Sequence, residues 1–150
     1  MEKIKFKKVS GFPNYSLVLL EDTAIKVTGV DFGHWYAYGV GKNSNKKFIT
    51  ANGNKFTIHA DYAWDGCTGA PDASWNYRAS LFHDAMYQAK KCGAKTTSWC
   101  NIDKIFLLNM KNDGANFIER NTYYSAVITI GALWKFQKLD SLRIKYYENK

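Results

Sequence analysis

The chain has 150 residues, 46% of them hydrophobic and 16% aromatic, enough to bury the core of one compact domain. Its 21 Lys and Arg against 13 Asp and Glu leave a formal charge of +8, which favours acidic partners such as nucleic acid, an anionic membrane surface or an acidic protein. No apolar run reaches the ~20 residues of a membrane span, and Met1-Glu2-Lys3-Ile4-Lys5-Phe6 alternates charge with apolar residues where a signal peptide would place a basic and then an apolar segment.

The first sixty residues read as short strands at Ile4, Phe6 and Val9, Tyr15 to Leu20, Ala24 to Val27, His34 to Val40, Phe48 to Ile49 and Lys55 to Tyr62. Each is rich in β-branched or aromatic residues. Turn-formers such as Gly11-Phe12-Pro13-Asn14, Glu21-Asp22 and Asn52-Gly53-Asn54 separate them. The expected arrangement is an antiparallel meander, with Asn52-Gly53 as its clearest hairpin signal, because both residue types tolerate positive φ.

From Trp75 apolar residues recur at helical spacing. A first helix is expected from about Trp75 to Lys90, stopping at Cys92-Gly93, where glycine can adopt the left-handed closing conformation. A second opens near Ser98 or Asn101, both good N-caps, and stops at Asp113-Gly114. A third spans roughly Phe117 to Leu139, with Ala126, Val127, Ile130, Leu133 and Trp134 on one side, and the tail from Arg143 to Lys150 is a frayed end or an edge. The expected fold is α+β in a single domain over 1–150, with antiparallel strands over about 1–62 and then three helices within 63–150, the first two antiparallel.

The lysines fall in small clusters, Lys3, Lys5, Lys7 and Lys8, then Lys42, Lys46 and Lys47. No Arg-rich stripe interleaved with aromatics tracks along the chain, so a solvated basic face is favoured over a nucleic-acid footprint. Cys67, Cys92 and Cys100 cannot all pair, and none forms a Cys-x-x-Cys metal spacing. A reducing compartment is the expected setting, with a Cys92–Cys100 bridge the alternative.

His83 has Ala79, Ser80, Met86 and Tyr87 as its three- and four-residue neighbours, a mostly apolar helix face that should turn inward. Asp103 has Phe106, Leu107 and Met110 at plus three, four and seven, again on a packing face. A lone buried carboxylate costs several kcal/mol, so Asp103 needs a partner, and His83 on the antiparallel neighbour can supply one. A carboxylate on one imidazole nitrogen raises the basicity of the other, which can then deprotonate water. The same pair can equally serve as a structural tie between helices, and both readings stay open. Asp84 points about 100° away around the helix from His83, where it could bind a cation or a loop beside the base; the glycine-containing loop Trp64-Asp65-Gly66-Cys67-Thr68-Gly69-Ala70-Pro71-Asp72 lies between the last strand and the first helix. Asp65, Asp84 and the loop carbonyls, Gly66 among them, could together hold a hard cation such as calcium, or the loop simply turns a strand into a helix. His34 and His59 lie in strand-like segments without acidic or Cys neighbours at ligand spacing, and are read as structural.

The string Arg78-Ala79-Ser80-Leu81-Phe82-His83-Asp84-Ala85-Met86-Tyr87, preceded by Asp65-Gly66-Cys67-Thr68-Gly69-Ala70-Pro71, resembles a family of small tailed-phage and prophage proteins known as a domain of unknown function. In that family a strand ends in an Asp-Gly-Ala-Ser-x-Pro-like turn and a helix carries Ala-x-x-x-His-Asp-x-x-Tyr. An Ala-Asp-x-x-Phe-x-x-x-Met helix then follows, matched by Ile102-Asp103 through Phe106 to Met110, and a Tyr-x-x-Val segment leads to a Gly, matched by Tyr124, Val127 and Gly131. The resemblance covers about residues 55 to 137. It implies a phage accessory or virion-associated protein, located in the virion or host cytoplasm and partnered by other virion proteins.

The same helix pair is similar to secreted phospholipase A2. That resemblance implies His83 as the base that activates water on an ester, Asp103 as its orienting carboxylate with Tyr87 in support, and Asp84 with Asp65 and Gly66 as calcium ligands, acting on anionic phospholipid. The chain departs from the enzyme in lacking the disulfides around a more glycine-rich calcium loop, and in having Met86 where a Cys usually stands. It departs from the phage family in one extra residue within the turn.

Overall fold

The computed structural model describes residues 3–10, 17–67, 73–134 and 141–147, with the side chains of residues 133 and 134 excepted. The strands are β1 (Phe6–Lys8), β2 (Leu17–Leu19), β3 (Thr23–Lys26), β4 (His34–Tyr38), β5 (Lys47–Asn52), β6 (Lys55–Ile58), β7 (Ala63–Trp64) and β8 (Arg143–Tyr146). The helices are α1 (Tyr77–Lys91), α2 (Trp99–Asn112) and α3 (Phe117–Trp134). The fold is α+β, as composition and periodicity require, with α1 and α2 packed together.

The strands form two antiparallel sheets instead of one meander. β1-β2-β7 is the smaller, and β3-β6-β5-β4-β8 the larger. The stretch expected as one strand over Lys55 to Tyr62 ends at Ile58, because Asp61 takes a left-handed φ of 68° and turns the chain toward β2, where Trp64 pairs with Leu17. The hairpin signal marks the β5–β6 turn, but Asn52 is itself in the ladder opposite Lys55. Gly53 (φ 58°) and Asn54 form the loop, and only the glycine needs positive φ. The tail expected to fray or lie at an edge supplies β8, an edge strand on β4 that pairs Ile144 with Ala37. The turn over residues 11–14, Tyr15 at the start of the second expected strand, the stretch up to Leu139 beyond α3 and the last three residues lie outside the described residues.

Alternate residues of the larger sheet point inward. Trp35, Ala37, Ile49, Ala51, Phe56 and Ile58 are all fully buried, and Phe56 meets Phe82 of α1 with ring centroids 6.4 Å apart. α1 is covered on more than one side, so Ala79, Ser80, Leu81, Phe82, Ala85, Met86, Tyr87 and Ala89 are all buried. Its small residues let neighbours approach closely. Leu81, Phe82, Ala85 and Met86 join the sheet core, whereas Ala79 joins Phe106, Met110 and Ala115 from α2 and the turn after it.

The helix ends follow local chemistry. The Ser98 side chain accepts from the Asn101 amide and caps α2, and Gly93 and Gly114 close α1 and α2 at φ 96° and 101°. α3 packs by the i, i+4 row Tyr123, Val127 and Gly131. The expected face through Ala126 and Ile130 is solvent-facing, with Ile130 40% exposed. This row wins because Trp75 stacks edge-on against Tyr123 at 5.0 Å and glycine at 131 admits Tyr87. The side chains of Leu133 and Trp134 lie outside the described residues.

Candidate functional site

The packing of α1 on α2 brings together three of the residues singled out by sequence. Asp103 is 3% exposed. Its Oδ1 lies 3.1 Å from His83 Nε2 and accepts the Tyr87 hydroxyl at 2.7 Å. A carboxylate only accepts, so Nε2 carries the proton, and in the neutral ring Nδ1 keeps its lone pair. The ring lies tilted by 31° against Tyr87 at 4.2 Å and edge-on to Phe106 at 5.2 Å, while Trp99 meets Tyr87 edge-on at 4.8 Å. His83 therefore has one orientation, fixed by Asp103 and aromatic walls.

Nδ1 faces Asp84 Oδ1 at 3.7 Å, and the side-chain exposures are 10% for His83 and 32% for Asp84. Burial opposes the charged His83 ring, but the Asp103 and Asp84 carboxylates outweigh it and hold the pKa above its ordinary value. Burial pushes the Asp84 carboxyl up to about 7; the neighbouring Asp65 carboxylate adds to this and His83 opposes it. About two-thirds of the Asp84 side chain is covered by protein atoms, which is what makes it costly to ionise. Tyr87 is raised by burial and by the Asp103 carboxylate beside it, so its hydroxyl stays a donor at any physiological pH.

Asp65, at the end of β7, thus lies within electrostatic reach of Asp84, and Gly66 beside it takes φ 78°. Thr68 to Asp72 of the loop lie outside the described residues. Among the described residues no group of three or more His, Cys, Asp or Glu side chains has metal-holding geometry. The Asp65–Asp84 carboxylate pair is nevertheless the donor chemistry that suits a hard cation.

His34 and His59 stand apart from this centre. His59 bridges Asp22 at 2.7 Å and Thr50 at 2.8 Å, and His34 bonds Asn52 across the β4–β5 ladder at 3.1 Å. The Asp22 partner of His59 is 37 residues distant in the chain and invisible to spacing. Among the described residues no disulfide forms; Cys92 Sγ lies 3.9 Å from Ser141 Oγ, and Cys100 is exposed. No helix is long and apolar enough to cross a membrane among the described residues.

Sequence reasoning missed two supports. Arg78 reaches from α1 to Asn109 Oδ1 at 3.3 Å and to Asp113 at 3.7 Å, a second polar clasp between α1 and α2. Gly131 of α3 lies against Tyr87, where an added Cβ would sit 2.7 Å from the hydroxyl oxygen. The Gly that ends the Tyr124-x-x-Val127 match, isolated in an otherwise helical segment, marked the position but not its contact with Tyr87.

The molecule is therefore an α+β protein whose first two helices present an oriented His-Asp-Tyr centre beside a pair of carboxylates. The chain belongs to the family described as protein of unknown function DUF1353, which matches residues 47–127, a span that begins in β5 and includes His83, Asp84, Tyr87 and Asp103. No curated protein and no solved structure gives a significant match.

Proposed function

We propose that the helix pair is a hydrolytic centre in which His83 acts as general base toward water attacking an ester, with a phospholipid acyl ester as the substrate class. The observation that carries the reading is the division of labour on the ring, with Nε2 tied to buried Asp103 while Nδ1 lies 3.7 Å from Asp84, whose side chain is 32% exposed. Nδ1 takes a proton as water oxygen bonds to the acyl carbon. The tetrahedral species then expels the alcohol oxygen, which recovers that proton from His83, leaving a carboxylate and an alcohol. Asp103 stabilises the transient imidazolium, and Tyr87 keeps Asp103 aimed at Nε2. A calcium ion, which Asp65, Asp84 and the Gly66 carbonyl would hold, supplies charge stabilisation for the oxyanion when bound. The net charge of +8 favours docking on anionic phospholipid.

Incubating the purified chain with anionic phospholipid vesicles and calcium should release fatty acid, and His83→Ala should abolish the release while leaving the circular dichroism spectrum unchanged. No release from any lipid class tested would sink the proposal.

One observation favours a second reading. Tyr87 and His83 converge on one buried oxygen, the pattern of a structural brace between α1 and α2. In that case the chain is a non-enzymatic phage accessory or virion-associated protein, found in the virion or host cytoplasm with other virion proteins as partners. Its detection in purified particles, combined with a lack of lipolysis, would decide for this reading.

A further inference from the structure

The five strands of the larger sheet contain Lys26, Lys47, Lys55, Arg143 and Lys145 and not one Asp or Glu. Alternation puts the hydrophobic half of these strands against α1 and the rest on the opposite face. Cross-strand pairing then assembles on that outer face residues far apart in the chain. Tyr36 pairs with Thr50 on one side and Lys145 on the other, and Tyr38 pairs with Lys47 and Arg143. The rings form a cluster, with Tyr36 4.4 Å from Tyr147 and 6.4 Å from Tyr38 between centroids. Lys47 Nζ stands 4.1 Å over Tyr36, and Lys145 Nζ 5.2 Å over Tyr38. The tyrosines are half-buried, and Lys26, Lys55, Arg143 and Lys145 are exposed.

We infer that this outer face is a binding platform for single-stranded nucleic acid. Such ligands are held by cations that track the phosphates and by aromatic faces on which bases stack with little regard to sequence, and this face supplies both within one contiguous patch. Scattered spacing along the chain hid it, because Lys47 and Lys145 become neighbours of the same tyrosine only through the ladder. An anionic membrane is the other polyanion the charge could serve. It is disfavoured because α1, which carries His83, packs on the inner face of this sheet, so a bilayer held on the outer face would lie on the side away from the site. The cations and rings on this face carry the inference without the proposed hydrolysis; only the argument from the position of the site against a membrane rests on that reading.

The test is a fluorescence-anisotropy titration of the full chain with a labelled oligothymidylate at several salt concentrations. Binding should weaken steeply with salt. Tyr36→Leu, which keeps apolar bulk and removes the ring, should weaken binding roughly tenfold, at the ~1.4 kcal/mol per decade that one stacked base supplies. Tyr36→Phe should keep wild-type affinity, and the double variant Lys47→Gln/Lys145→Gln should lower both affinity and salt slope. Circular dichroism confirms the fold of each variant. Absence of oligonucleotide binding, equal loss in Tyr36→Leu and Tyr36→Phe, or binding unaffected by the loss of the ring would overturn the inference. So would stronger retention on phosphatidylglycerol vesicles, if that retention is lost in the lysine variant.

Discussion

Tyr87 donates its hydroxyl to Asp103 at 2.7 Å, and it does so on the same carboxylate oxygen that His83 Nε2 approaches at 3.1 Å. One buried charge is thereby shared by two side chains a single helical turn apart.

Removing that charge strands both donors. Asp103→Ala should destabilise the fold by about 3–5 kcal/mol, as expected for one member of a buried pair. Tyr87→Phe should cost less, about 1.5–3 kcal/mol, since it deletes one hydrogen bond to a charged group and leaves the ring packing intact. Urea denaturation of the three proteins gives the comparison. A Tyr87→Phe variant as stable as the parent would show that the hydroxyl contributes nothing to holding Asp103.

Gly131 should resist enlargement. A Cβ there would sit 2.7 Å from the Tyr87 hydroxyl oxygen, and Tyr87 is walled in by His83 and Trp99. Replacing a helical glycine by alanine normally stabilises by roughly 0.5–1 kcal/mol, but overpacking costs about 1–3 kcal/mol, so Gly131→Ala should be net destabilising. Pairing it with Tyr87→Phe should relieve part of the cost, because the clash is with the hydroxyl. A thermal melt showing Gly131→Ala more stable than the parent would contradict this packing.

The helix pair was legible in the chain because its information is local. His83 and Asp103 each carry apolar neighbours at helical spacing, and two buried polar groups on adjacent helices constrain each other. Gly93, Ser98 and Gly114 likewise mark helix ends by their own chemistry. The order of the larger sheet was not legible. Nothing in Arg143 to Tyr146 specifies β4 as a partner over solvent, and Asp61, a residue that tolerates left-handed backbone, redirects a stretch that alternation alone reads as one strand. The Arg78–Asp113 and His59–Asp22 contacts and the tyrosine-lysine cluster share this property, being created by pairing across long separations.

Stability should depend on pH through Asp84. Its folded pKa of about 7 lies above the unfolded 3.8, so the folded state favours the protonated carboxyl. That contribution is complete below pH 3.8 and is lost as pH rises through about 7. His83, also raised, acts in the same direction from 6.5 upward. With a chelator present, Asp84→Asn should match the parent near pH 4 and become the more stable of the two by pH 8. A difference that stays constant across this range, or that grows toward acid, would show that Asp84 ionises without penalty in the fold.

The His83 ring itself provides the most direct readout of the site. Burial alone would lower its pKa, so a value above the ordinary 6.5 requires the two carboxylates to dominate. Imidazole nitrogen shifts followed by NMR, with the signal assigned by its disappearance in His83→Asn, should give a midpoint above 6.5. Asp84→Asn should move that midpoint down while Nε2 keeps its bond to Asp103. Asp103→Asn should move it further, because the direct 3.1 Å contact is the stronger of the two. For a general base the consequence is that hydrolysis rises with pH through the same midpoint, since only the neutral ring accepts a proton from water. A midpoint at or below 6.5, or one indifferent to both substitutions, would mean that the carboxylates do not tune this histidine.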